Sequence, residues 1–285
     1  MANITNSLVK SNSKPKFSVA IQSEGYKQLI NNTLRDPKRA NRFVANIMSA
    51  VATNPNLADC DAGTILSAGL LGESLNLSPS AQLGQFYLVP FNDKQRGKVA
   101  TFQIGWHGYV QLAIRSGYYK KLNVLPIKQG ELIRFNPLEE EIEIKLIEDD
   151  TVREETETTG YYAFFEYTNG FKKAIYWSKE KMEAHALKYS QGYRADKQKG
   201  TEYTFWSKDF DGMAMKTMLR QLISKWGIMS TELQEAFIKD QAVIDEKGNV
   251  DYVDNKEDTL VFETPNGEIV EESKEELTRQ QSLIL

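Results

Sequence analysis

Two cations stand four residues apart inside the segment Trp206 to Trp226, WSKDFDGMAMKTMLRQLISKW. On a helix Lys216 and Arg220 share one face, about 40° apart around the axis. Their rise of about 6 Å nearly matches the spacing of successive phosphates along a strand. Met213 lies beside them, and Gly212, one turn before Lys216, would let a backbone come close. What such a face offers is charge neutralisation rather than bond making. Met215, Leu219, Leu222 and Trp226 fall within about 60° of one another and, widened by Ala214 and Met218, read as the buried stripe. Taken alone, Lys216 and Arg220 fit a solvated helix face as well as a phosphate site.

Two further stretches mix cations with rings. In Lys98 to Lys121, KVATFQIGWHGYVQLAIRSGYYKK, strand alternation puts Thr101 and Gln103 on one face and Phe102 and Ile104 on the other. Trp106, His107 and Tyr109 open the helix that follows, where unpaired amides can hold a phosphate. Aromatics interleaved with Arg115, Lys120 and Lys121 suit base stacking with backbone neutralisation. Val110 and Ile114 read as core, and Trp106 is open to either role. In Lys188 to Lys208, the cations Lys188, Arg194, Lys197, Lys199 and Lys208 alternate with Tyr189, Tyr193, Tyr203 and Trp206. With no strong periodicity, that stretch reads as a strand clamp on a loop or as a solvated loop.

Bond-making chemistry is poorly represented. There is no G-x-x-x-x-G-K-[ST] phosphate loop, no dinucleotide fingerprint and no G-x-S-x-G elbow. Two histidines, His107 and His185, and the single Cys60 leave too few ligands for a structural zinc site, and an intramolecular disulfide is impossible. Asp196, Glu202, Asp209 and Asp211 lie near the basic segment, which keeps a metal-dependent nuclease as an alternative. Against it, Asp209 and Asp211 suit the first turn of a helix.

The net charge of −4 conceals a split. Residues 241–285 carry twelve acids and four bases, residues 138–157 ten acids and two bases, and the rest is left at +12. An acidic tail on a basic binding body has this pattern, and acidic surface without a partner has it too. A second alternative is therefore an interaction protein whose working part is the acidic tail. No eighteen-residue apolar run and no signal-like N-terminus is present, which sets the expectation of a cytoplasmic protein without membrane contact.

Periodicity places the elements that would carry these residues. Helices are expected at 23–34, from Pro37 to Thr53, and from an Asp61 cap to about Asn76. Strands at 85–91 and 98–105 form a hairpin, a helix runs from Trp106 to Ser116, and Gly117 ends it. Strand-like runs follow at 122–128, 130–136 and 141–148. Thr168-Asn169-Gly170 closes a hairpin of 161–167 and 171–177. Ser178 caps a helix to Tyr189, residues 190–204 read as a loop, Asp209 or Ser207 caps the helix ending at Trp226, and Ser230 or Thr231 caps one to Lys239. The fold class is α+β, with helices packed on a small, mostly antiparallel sheet with hairpins. Residues 1–20 are expected as a flexible tail, 21–240 as the DNA-binding and oligomerisation core, and 241–285 as a largely disordered acidic region, with marginal helix at 271–281.

One run carries a resemblance. Leu83-Gly84, Tyr87-Leu88-Val89-Pro90-Phe91, Ile104-Gly105-Trp106-His107-Gly108, Leu112-Ala113 and Arg115-Ser116-Gly117 stand in the order of a signature of the RecT family of phage-type single-strand annealing proteins. Trp206, Phe210, Met213, Ala214, Lys216, Thr217, Leu219, Arg220 and Leu222 resemble that family's second signature. The similarity covers about residues 40–235. It implies a non-enzymatic protein that binds single-stranded DNA, anneals complementary strands without ATP in recombination, holds the annealed duplex, and assembles into rings or helical filaments. No cofactor is implied, with magnesium at most a modulator, and a partner exonuclease or host single-strand binding protein is a candidate contact. The DNA-contacting set expected on these grounds is Lys98, Thr101, Gln103, Trp106, His107, Lys120, Lys121, Lys188, Arg194, Lys197, Tyr203, Trp206, Lys208, Met213, Lys216 and Arg220. His107 stands where the family more often has Arg or Lys, so a charged contact there is doubtful at neutral pH.

Overall fold

The computed structural model describes residues 16–93 and 95–252, and beyond them the backbone of two strands at 259–263 and 269–273. Helices come first: α1 (Phe17–Ala20), α2 (Glu24–Leu34), α3 (Pro37–Thr53), a 3-10 turn at Pro55–Asp59, and α4 (Ala62–Ser74). The expected caps form. The Asp36 carboxylate accepts from the Lys38 amide and Asp61 from the Gly63 amide. Such a cap satisfies an otherwise unpaired first-turn amide and contributes about 1 kcal/mol. Phe17, Ala20 and Ile21 are buried, so the ordered core starts earlier than the expected tail boundary at residue 20.

Hairpin β1 (Phe86–Asp93) and β2 (Gly97–Ile104) follows, with Val89 opposite Thr101 and Tyr87 opposite Gln103. Helix α5 (Trp106–Arg115) leads into β3 (Tyr119–Lys128), the hairpin β4 (Leu132–Asn136) and β5 (Glu141–Ile144), and the short α6 (Asp150–Glu155). The hairpin β6 (Thr158–Tyr167) and β7 (Lys172–Ser178) turns at Gly170, whose φ of 89° needs a residue without a Cβ. Then come α7 (Lys179–Tyr189), α8 (Gln191–Lys199), α9 (Phe205–Lys208), α10 (Phe210–Trp226), α11 (Thr231–Lys239), β8 (Ala242–Ile244) and β9 (Val250–Tyr252). Strands β10 (Thr259–Glu263) and β11 (Ile269–Ser273) pair antiparallel with each other. The class is α+β as expected.

The sheet is divided. One sheet has the order β1-β2-β8-β9, and a second has β3-β6-β7, all antiparallel. Helix α4 packs on the first, α10 lies across the second, and α5 bridges to α10. Phe102, Ile104, Tyr109, Leu219 and Leu222 are among the fully enclosed residues between them. Cys60 is buried in the first layer, its thiol 3.4 Å from the Val99 carbonyl.

Three expectations change. The loop at 190–204 contains α8: Ser190 caps it at the Tyr193 amide, and Gly200 ends it in the left-handed region. Only Tyr193 and Asp196 of that helix are buried, too few to print a helical period in the sequence. The acidic region expected from 241 begins inside the first sheet, where Ala242, Val243 and Ile244 are buried. Of 271–281, residues 271–273 belong to the strand Ile269–Ser273, and the remainder lies outside the described residues.

Candidate nucleic-acid interface

A groove of about 700 Å³ opens between the β1–β2 hairpin and the α7–α9 arm, with α10 as its floor. Strand alternation turns Thr101 and Gln103 into it while Phe102 and Ile104 face the core. The floor is one helical face: Met213, Lys216, Arg220 and Ser224 follow one another at three- and four-residue steps, with Thr217 and Gln221 beside them. Lys208, Tyr203, Phe205 and Lys225 stand on the rim. The groove thus gathers Thr101, Gln103, Tyr203, Trp206, Lys208, Met213, Lys216 and Arg220 from the expected set.

Lys216 and Arg220 are not a solvated face. Helix α10 lies between the second sheet, α5 and α9, so little of it reaches solvent, and Lys216 is only 6% exposed. Both cations converge on Asp240, itself fully buried: Lys216 Nζ lies 3.0 Å from Oδ1, and Arg220 donates to Oδ2 over 3.0 Å. The Tyr109 hydroxyl donates to Oδ2 and the Ile104 amide to Oδ1. Two cations on one carboxylate leave the floor with a net positive charge in a low-dielectric wall, where it is felt strongly. Burial pulls the Lys216 ammonium below its ordinary value, against the opposing pull of Asp240. Burial, and then the Asp240 charge, push the Tyr109 phenol well above its ordinary value.

Trp206 lies against Tyr193 and Phe210 and is buried, so it supports the arm rather than presenting a ring for stacking. Tyr203 is the contrast, at 80% exposed. Its segment is fastened from beneath by buried Asp196, which accepts from the Tyr203 and Thr204 amides and from the Thr201, Thr204 and Ser207 hydroxyls. Burial raises the Asp196 carboxyl, but these donors outweigh it and hold the acid far below its ordinary value.

The rest of the expected set lies outside the groove lining. Lys98 pairs with Asp59, and Lys120 and Lys121 pair with Glu166. Lys197 pairs with Glu183, Lys188 lies over the Tyr189 ring, and Arg194 donates to the Leu187 and Lys188 carbonyls, closing the end of α7. Trp106 and His107 stack on each other, 3.5 Å between ring centroids. Partial burial lowers the His107 pKa, which favours the uncharged ring. At the start of α5 the cap residue Gly105 donates its amide to the Gln85 carbonyl over 2.8 Å, and a Cβ at Gly105 or Gly108 would collide with the Gly84 or Gln85 carbonyl. The glycines of that run serve backbone packing. Trp226, expected in the buried stripe, is 47% exposed under the Lys173 ammonium.

Asp209 and Asp211, near the groove, are both engaged. Asp209 caps α10 at the Gly212 amide, and Asp211 accepts from the Tyr161 and Thr158 hydroxyls. No group of three or more potential ligand residues converges in a metal-binding arrangement among the described residues. No helix among them is long and apolar enough to cross a membrane. The reading from sequence missed Gln221, Ser224 and Lys225, although continuing the Lys216–Arg220 face by one turn reaches Ser224.

The sequence profile of the RecT family matches residues 41–258. A Bacillus subtilis (strain 168) protein described as uncharacterized protein YqaK is 37% identical over 248 residues, 83% of this chain and 80% of its own length. Protein RecT of Escherichia coli (strain K12) is 27% identical over 205 residues, 71% of each chain. With most of the chain inside the family profile, the chain belongs to the RecT family of recombination and annealing proteins.

Proposed function

We propose that the groove holds single-stranded DNA by its backbone and that the protein anneals the held strand to a complementary one without ATP. The observation that carries this reading is one trough with a buried cationic floor, exposed lysines on the rim and an exposed tyrosine held beside them. Lys216 and Arg220 supply a fixed field, Lys208 and Lys225 contact phosphates, and Tyr203 stacks on a base. Contacts of these kinds are largely indifferent to sequence, so base pairing supplies the selectivity. Protomers side by side would extend the trough into a ring or filament. The acidic segment beyond residue 252 is the candidate for recruiting an exonuclease or a single-strand binding protein.

The test is titration of a fluorescent oligonucleotide over a range of salt, with strand annealing followed in parallel without ATP and with and without magnesium. Affinity should fall steeply with salt, with a slope of about −0.7 per phosphate contact. Lys208→Ala with Lys225→Ala should make the slope shallower by about 1.4 and slow annealing, with unfolding unchanged. A flat salt dependence, or an unchanged slope in that variant, overturns the assignment. Deleting residues 253–285 should spare annealing; its loss would favour the interaction-protein reading.

A further inference from the structure

The groove lining continues past the rim on two helices. On α7 it includes His185 and Tyr189, and on the last turns of α10 it includes Gln221, Ser224 and Lys225. Both helices pack on β7, the outer strand of the second sheet. Alternation along that strand sets Lys173, Ile175 and Trp177 on one face. That face is turned to the helices. The Trp177 ring meets the His185 ring of α7 edge-on, with centroids 5.4 Å apart. The Lys173 ammonium stands 3.5 Å from the centroid of the Trp226 ring, at the end of α10. A passage therefore leads from the groove, between α7 and the end of α10, onto the edge of the sheet.

Rings and ammonium groups alternate along it. The Tyr189 ring lies 4.6 Å from His185, and His185 leads to Trp177. Lys188 stands over Tyr189 at 5.0 Å and Lys181 over Trp177 at 4.5 Å. Both lysines are exposed, whereas Tyr189, His185 and Trp177 are half-buried. The acids of α7 are engaged elsewhere: Glu183 pairs with Lys197, and Glu180 bonds Ser178. Trp226 departs from its own stripe. Leu219 and Leu222 are fully enclosed, but the indole leaves the core. Lys173, whose side chain is only 12% exposed and is held by Glu140 at 2.5 Å, fixes one side of that ring. Nearly half of the residue stays in water, apolar area that a flat partner would cover.

We propose that this passage is a second nucleic-acid site, where unpaired bases of the strand leaving the groove stack on Trp226 and Trp177. The proposal rests on the groove reading and deepens it with the path of the strand and the state of its bases. Lys225 joins the two sites, and Lys181 and Lys188 move from ring to phosphate as a base takes the ring face. A cation over a partly exposed ring is a weak contact in water and exchanges readily. Stacking suits any unpaired base, because every base has a ring face, and a closed duplex hides that face. The passage thus holds single strands and gives no purchase to a finished duplex.

Photocrosslinking and substitution test it in the full chain. A single-stranded oligonucleotide carrying 5-iododeoxyuridine is irradiated with the protein, and the joined peptides are mapped by mass spectrometry. Adducts are expected at Tyr203 from the groove and at Trp226 or Trp177 from the passage. With the same sequence presented as a duplex, the tryptophan adducts should vanish. Trp226→Ala should weaken single-strand binding about tenfold and leave duplex binding unchanged. Trp226→Phe should recover most of that loss, since a ring face returns. The salt slope should be unchanged in both, whereas Lys181→Gln with Lys188→Gln should make it shallower by about 1.4. Thermal melting confirms that each variant folds. The proposal is overturned if Trp226→Ala binds the single strand as wild type does, if it loses duplex binding equally, or if neither tryptophan crosslinks while Tyr203 does. An unchanged slope in the lysine variant overturns the phosphate contacts. A failure of the groove reading would appear instead as tryptophan adducts with none at Tyr203.

Discussion

Asp240 and Glu166 do the same chemistry in opposite surroundings. Each is a buried carboxylate gathering more than one cation. At Asp240 the cations are enclosed as well, with side-chain exposures of 7% for Lys216 and 14% for Arg220. At Glu166 the lysine side chains are 57% to 68% exposed. In the first case the charges are desolvated, so their geometry is fixed and removing one partner leaves an uncompensated charge. In the second, water and salt screen the pairs, and the ammonium groups are free to change partner. The groove therefore has a rigid cationic floor, and the Glu166 end of the second sheet has mobile cations.

The largest effect should come from Asp240→Ala, which strands two buried cations. A loss of about 3–5 kcal/mol in urea unfolding is expected. A loss no larger than that of Glu166→Ala would break the contrast. Lys216→Ala with Arg220→Ala strands the carboxylate instead and should also destabilise the fold, so it cannot isolate a DNA contact. Lys216→Met with Asp240→Asn is the sharper variant: it removes the desolvated pair together, should cost less stability than Asp240→Ala, and, because Arg220 preserves the net positive charge of the floor, should leave strand affinity nearly unchanged.

A smaller effect concerns pH. Burial lowers the folded Lys216 value, whereas in the unfolded chain the residue titrates near about 10.4. Between the two, the unfolded state binds more protons, so the Lys216 contribution to stability rises with pH there. Strand affinity moves the other way, because the floor loses its charge. DNA binding should therefore weaken at an alkaline pH below the ordinary lysine range, and Lys216→Arg should remove that step. An unchanged profile in the arginine variant would assign the titration elsewhere. The smallest effect is expected at the sheet end, where Lys120→Ala should leave the melting temperature unchanged within error. A clear drop would show that the Glu166 cluster is structural.

Local chemistry was readable ahead of the structure, and enclosure was not. Asp61, Ser178, Asp209 and Ser230 all cap the helices expected of them, because a cap depends on a few neighbouring residues. The Asn169-Gly170 turn and the alternation of Thr101 and Gln103 are local in the same way. The spacing of Lys216 and Arg220 gives them one helical face, but the burial of Lys216 depends on Asp240, twenty-four residues away, and on two layers that close over α10. Strand β8 is three residues long and has no period to read. Helix α8 buries only Tyr193 and Asp196 and has no apolar stripe, so its composition resembles a loop.

Cys60 has a practical consequence. It is the only cysteine, it is buried, and burial pushes its thiol up to about 11. At neutral pH almost none of it is thiolate, the form that reacts with maleimides. A second cysteine introduced on the groove rim, as in Tyr203→Cys, would be the one position to take up a dye. The wild-type background is thus silent to labelling as it stands. An environment-sensitive fluorophore at residue 203 would then report the arrival of the first strand and of its complement as separate optical events.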